Sequence, residues 1–220
     1  MRASKPTPSL PRSRAPATPK ASRRLRLTTL SKTRAKPLFV AITGGIGAGK
    51  SEALASFARH GAATISSDAV VHELYNDPEV KAALEERYST SDKAEIREQV
   101  VGDRDALVWL EGLLHPRVLQ RTEAWHDELS RLPEPPALAV NEVPLLYEAG
   151  AEDRFDAVVV ITAPRELRAD RAGDRLDERE RRLIPEEQKV ERADFAYVND
   201  GSLEDLDAFV ADVTRTLSAP

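Results

Sequence analysis

The sequence predicts an α/β fold in three layers, a parallel sheet with helices packed on both faces. Three observations carry that reading. Short, continuous apolar runs recur at LFVAI (38–42), ALAV (137–140) and AVVVI (157–161), as expected of strands covered on both sides. Between them lie long stretches with apolar residues three and four apart, the spacing of amphipathic helices. Strands that alternate with helices favour parallel pairing, since a parallel neighbour is reached through a crossover helix.

The elements follow in order. Leu38 to Ile42 is the first strand. Ala53, Leu54, Phe57 and Ala58 give the next segment one apolar face, and Gly61 stops it. Ala62 to Ser66 forms a second short strand, and Asp68 is placed to cap the helix AVVHELYN, which Pro78 bounds. Helical text fills residues 79–132 as EVKAALEERY, DRDALVWLEGLL and PRVLQRTEAWHDEL, with Pro116 at the start of the last. PEPP at 133–136 is a turn before the third strand. FDAVVVITAP supplies the fourth, a charged segment spans 165–192, and FAYVND supplies one more. SLEDLDAFVADVTRTL closes the chain as a capped amphipathic helix. No internal repeat is present.

Composition narrows the function classes. The chain has 220 residues, 41% of them hydrophobic, enough to bury one core. It has no cysteine, which excludes disulfides and thiolate zinc sites. No apolar run reaches the roughly 20 residues that span a bilayer, so a soluble, cytoplasmic, non-membrane protein is expected. Residues 1–37 contain eleven of the 32 Lys and Arg and none of the 37 Asp and Glu, leaving 21 basic against 37 acidic residues in the body. This Pro-, Ser- and Arg-rich opening is read as a disordered basic extension, either a solvated tail or the product of a start codon assigned too early. A targeting peptide and nonspecific nucleic-acid contact are the other readings of it. The body, 38–217, is one domain, with a helical region about 68–132 and a lid about 165–192.

GGIGAGKS, Gly44 to Ser51, fits G-x-x-x-x-G-K-[ST] between an apolar strand and an amphipathic helix. Glycines let consecutive N–H groups converge on phosphate oxygens. In this pattern the lysine, Lys50, reaches the β- and γ-phosphates and the serine, Ser51, ligates Mg²⁺. Gly44, Gly45, Ile46, Gly47, Ala48, Gly49, Lys50, Ser51 and the following Glu52 are therefore the candidate ATP-binding residues.

The wider text narrows the reading. TGGIGAGKS, TISSDAVVHELY, LLHPRV, EVPLLYEAG and KVERADFAYVND occur in that order and together resemble the dephospho-CoA kinase family over residues 38–217. The resemblance implies a P-loop kinase fold with an acceptor-binding helical region and a lid. It implies transfer of the ATP γ-phosphoryl group to the ribose 3′-hydroxyl of dephospho-CoA, the last step of coenzyme A biosynthesis, with Mg²⁺ as cofactor and a monomeric enzyme. It assigns Asp68 to the acceptor hydroxyl proton, and with Lys50 and Arg179 completes the candidate catalytic set. His72, one helical turn from Asp68, His115 and the loop residues Pro144, Leu145 and Glu148 are implied for the acceptor, and Asn199 for the neighbourhood of the adenine. Glu142, at a strand end, would support the metal's water shell beside Ser51. Arg165, Arg168, Arg171, Arg175 and Arg179, three or four apart, would form a cationic stripe over two polyanionic substrates. Arg168, Arg171 and Lys189 are candidate lid residues.

Two positions depart from the family pattern: Ser66 stands where its first aspartate is expected, and Leu183 where a lid glutamine is expected. Two rival functions remain in view. One is a P-loop kinase for a nucleoside monophosphate or another small alcohol. The other is a nucleic-acid-associated protein acting through its basic extension, which the acidic body opposes.

Overall fold

The computed structural model describes residues 36–172 and 183–219; the expected disordered extension, apart from its last two residues, lies outside them. Five parallel strands form one sheet, β1 (Leu38–Gly44), β2 (Ala63–Ser66), β3 (Leu138–Glu142), β4 (Ala157–Thr162) and β5 (Phe195–Val198), in the order β2-β3-β1-β4-β5. β1 is central, with Ile42 beside Glu142 of β3 and Gly44 beside Ile161 of β4. All residues of β1, β3 and β4 are buried, which is why their apolar runs are continuous rather than alternating.

Side-chain alternation along β1 separates two cores. Leu38, Val40 and Ile42 face α1 (Lys50–Arg59) and α8 (Leu203–Ser218), where Phe57, Leu206, Phe209, Val210 and Val213 close one face. Phe39 and Ala41 point the other way, toward Leu146, Tyr147 and Phe155 and the half-buried Trp125 and Leu129. Phe39 stacks on His126 with ring centroids 4.5 Å apart, and His126 Nε2 lies 2.9 Å from Pro37 O.

A third core, away from the sheet, is purely helical. It joins α2 (Ser67–Leu74), α3 (Pro78–Tyr88), α4 (Lys93–Val100) and α5 (Arg104–Leu129) around Val80, Leu84, Ile96, Val100 and Leu114. Asp77, Asp92 and Asp103 cap α3, α4 and α5 through their carboxylates. Three expectations are corrected here. α4 is a further helix, lying between the expected stretches EVKAALEERY and DRDALVWLEGLL rather than within either. Pro116 does not begin a helix but sits inside the 26-residue α5. The proline removes the bond to Gly112 O, and Arg117 Nη1 donates to the next carbonyl, Leu113 O, at 2.9 Å. Packing at both ends of the helix offsets the cost of about 3 kcal/mol. Asp68 is not the cap of α2 either: Ser66 occupies that position, without a side-chain bond, and Asp68 is the second helical residue.

α8 begins with a reciprocal capping box between Ser202 and Asp205 and is tied to α1 through one carboxylate. Asp207 accepts from Ser56 Oγ at 2.6 Å and from Arg59 Nη2 at 3.0 Å. The Ser56 hydroxyl, with Arg59 and His60, holds its pKa down at about 2. A lowered carboxylate pKa stabilises the fold above the unfolded value near 3.8, and that contribution is lost as pH falls toward 2. In chemical denaturation, Asp207→Asn should therefore be less stable than the parent at pH 7, with the deficit vanishing near pH 2. A deficit independent of pH would contradict this.

Candidate active site

The site lies at the carboxyl edge of the sheet, where ligands bind in open α/β folds. β1 ends in the glycine loop. Gly44 has φ 146° and lies so close to β4 that a Cβ there would stand 1.8 Å from Ile161 O; only glycine fits. The loop then closes on itself, with Ala48 N donating to Gly45 O at 3.3 Å and Lys50 Nζ donating to the same oxygen at 2.9 Å. Lys50 begins α1, so its ammonium and the positive end of the helix meet at one point. Burial pushes the Lys50 pKa down, opposed by the charge of Glu142 and, further down the order, by those of Asp68 and Glu186.

β3 brings the acid. Glu142 ends that strand beside Ser66 of β2, and both of its carboxylate oxygens lie 3.4 Å from Ser51 Oγ. Burial raises the Glu142 pKa, against the pull of Lys50; Asp68 raises it further. Asp68 is thus close enough to act electrostatically on both Lys50 and Glu142, and is itself exposed to solvent. Its backbone is anchored by the preceding residue, because Ser67 Oγ, at the start of α2, donates to Asn141 Oδ1 of β3 at 3.1 Å. A hydroxyl, a buried carboxylate and a nearby second carboxylate are hard oxygen donors of the kind Mg²⁺ prefers. Among the described residues no group of three or more His, Asp or Glu could hold an ion alone, so phosphate oxygens would complete such a shell.

The charged segment after β4 packs on the same loop. In α6 (Arg165–Ala172) Arg168 is buried, with Nε donating to Ala163 O at 2.9 Å and lying 3.6 Å from Glu186 Oε1. Arg171 Nη1 donates to Gly47 O at 3.2 Å. Arg168 and Arg171 therefore meet the glycine loop, while Arg165 and Arg171 are exposed; the described part of the stripe is split between core and surface. Arg175 and Arg179 lie outside the described residues. A cleft beside Gly45 is lined by Arg168, Leu183, Ile184, Glu186 and Lys189.

Lys189, in α7 (Glu186–Arg192), is fully buried. Its ammonium stands 2.8 Å from Glu148 Oε1, and that oxygen also accepts from Ile184 N at 3.0 Å. Glu148 thus turns toward α7, fastening the loop after β3 to that helix. The same loop is held at its start, where Thr43 Oγ1 donates to Pro144 O at 3.3 Å, and Leu145 is exposed. Removing one member of a buried ion pair costs about 3–5 kcal/mol, so Lys189→Met should lower the melting temperature sharply. Lys189→Met combined with Glu148→Gln should recover part of the loss, and a double variant no better than the single one would refute the coupling.

The remaining candidates separate. His72 is exposed, with Nδ1 3.3 Å from Lys93 Nζ, and His115 is exposed on α5. Asn199 donates through Nδ2 to Ala48 O at 2.9 Å, so it meets the outside of the glycine loop. Sequence reasoning passed over Asn141, Thr43 and Glu186, whose contacts are long-range. Asn141 alone left a trace, a polar residue in an apolar strand.

A parallel sheet of this order, with a glycine loop leading from its central strand into a helix whose first residues are lysine and serine, defines a nucleotide-binding P-loop protein of the kinase type. A dephospho-CoA kinase family model matches residues 38–205. A dephospho-CoA kinase of Brucella melitensis is 32% identical over 193 residues, covering 82% of this chain and 96% of its own. A crystal structure from Thermus thermophilus superposes with a TM-score of 0.69 at 32% identity, covering 84% of this chain and 100% of its own. The dephospho-CoA kinase structure from Campylobacter jejuni shares the fold, with a TM-score of 0.59 at 24% identity over 82% of this chain and 97% of its own. The chain belongs to the dephospho-CoA kinase family.

Proposed function

We propose that the protein transfers the γ-phosphoryl group of ATP to the ribose 3′-hydroxyl of dephospho-CoA, giving CoA and ADP. The observation that carries the mechanism is the meeting of Lys50, Glu142 and Asp68 at one sheet edge. The family supports the acceptor, and the geometry supports the roles.

The amides of residues 44–51 hold the phosphates, and Lys50 balances charge on the β- and γ-groups. Arg168 and Arg171 add positive charge from the lid base; Arg179 would add more from its other half. Ser51 would ligate Mg²⁺ directly and Glu142 through water, and the ion's chemistry is neutralisation of phosphate charge and alignment of the γ-group. Asp68 accepts the proton of the 3′-hydroxyl as the new O–P bond forms and the bond to the bridging oxygen of ADP breaks. Little covalent help is needed for phosphoryl transfer, so one carboxylate beside the hydroxyl suffices. The helical region from α2 to α5, with His72 and His115 on its exposed side, and the loop around Leu145 hold the acceptor.

No helix among the described residues is long and apolar enough to cross a membrane; we place the enzyme in the cytoplasm, as a monomer. An acceptor panel tests the assignment. ADP release should depend on dephospho-CoA and yield CoA, with AMP, other nucleoside monophosphates and small alcohols turning over far more slowly. Faster turnover on AMP would overturn the reading.

A further inference from the structure

Asn199 follows β5, and the resemblance set it near the adenine, yet its side chain is occupied elsewhere. Its backbone N–H donates to Thr162 O at 2.7 Å, its Nδ2 donates to Ala48 O at 2.9 Å, and the residue is only 6% exposed. The fit is tight. Gly49 has φ 98°, and a Cβ there would stand 2.3 Å from Asn199 Nδ2.

The chemistry of one peptide group gives this contact a consequence. In a planar trans peptide the carbonyl and the following N–H point in opposite directions. Ala48 O is held outward against Asn199, so the N–H of Gly49 is turned the other way, into the hollow of the loop. Convergent N–H groups are what a phosphate-binding loop uses, and a peptide flanked by glycine rotates easily when nothing holds it. Asn199 supplies the hold from 151 positions away.

We propose that Asn199 is a positioning residue for phosphate binding: through Ala48 O it aims the Gly49 N–H at the nucleotide phosphates and does not read the base. The inference rests on the reading that residues 44–51 hold the phosphates of ATP.

Calorimetric titration of the full chain with MgATP and with magnesium tripolyphosphate tests it. Asn199→Ala removes the donor, and Asn199→Asp keeps the shape but turns an acceptor toward a carbonyl. Both variants should raise Kd for ATP and for tripolyphosphate by the same factor, about tenfold for a lost hydrogen bond and more for the aspartate. A loss confined to ATP, with tripolyphosphate binding unchanged, overturns the proposal in favour of a base contact. A lowered melting temperature with both Kd values unchanged overturns it in favour of a purely structural role. Should Asn199→Ala melt below the assay temperature, the near-isosteric Asn199→Asp carries the comparison. A parent protein that binds neither ligand removes the phosphate-loop reading and this proposal with it.

Discussion

Asp68→Asn should cut turnover by about 10²–10⁴-fold, the usual worth of a positioned general base, while ATP affinity changes little. The asparagine keeps the size of the side chain and its place as second residue of α2, but cannot take a proton. Ser67, bonded to Asn141, fixes the turn that presents residue 68, so the variant should fold as the parent does. Steady-state ADP release at saturating dephospho-CoA gives kcat, and titration with a nonhydrolysable ATP analogue gives affinity. Retention of more than a tenth of the parental kcat would remove Asp68 from the proton path. A matching collapse in nucleotide affinity would mean instead that the carboxylate acts mainly on Lys50 and Glu142, whose pKa values it shifts.

The second large effect is expected at Lys50. Lys50→Met preserves the stem and removes the ammonium, and turnover should fall by about 10²–10³-fold, the scale for losing one preorganised charge contact in a desolvated site. The KM for ATP should rise as well, because the lysine meets ground state and transition state alike. Burial already depresses the Lys50 pKa, so the ammonium is poorly hydrated before substrate arrives and has little solvent to lose on meeting phosphate. Lys50→Arg should rescue poorly: Lys50 Nζ fits against Gly45 O at 2.9 Å, and a planar fork is wider than that corner. An arginine variant within twofold of the parent would show that charge alone matters there.

What the sequence made legible follows physical range. Continuous apolar runs marked β1, β3 and β4, since strands buried on both faces need no partner information to be recognised. The glycine loop was equally plain, because all of its chemistry is contiguous. Lys50 and Ser51 are legible in the local motif and Asp68 and Glu142 through the family resemblance, and the structure brings the four to one edge. Sequence-local rules misjudged Pro116, where tertiary packing at both ends of α5 overrides a local break, and Asp68, where the cap fell two residues earlier. The Glu148–Lys189 pair and the grip of Asn199 on Ala48 were hidden for another reason. Each joins residues 41 and 151 positions apart, and nothing in the text around one partner specifies the other. Of the segment 165–192 expected as a lid, Arg168 and Arg171 touch the glycine loop.

The uninterrupted α5 constrains how this chain can change over time. One end of the helix carries Ala106 and Leu114 into the helical core, and the other carries Trp125 and Leu129 onto the sheet. A turn takes 3.6 residues, so gaining or losing a single residue between those anchors would swing one of them by about 100° and tear it from its seat. Gains or losses of seven, which nearly restore the phase, would spare the direction but shift the reach by about 10 Å. Length drift in descendants of this chain should therefore gather in the turns flanking α5 and spare the rod itself.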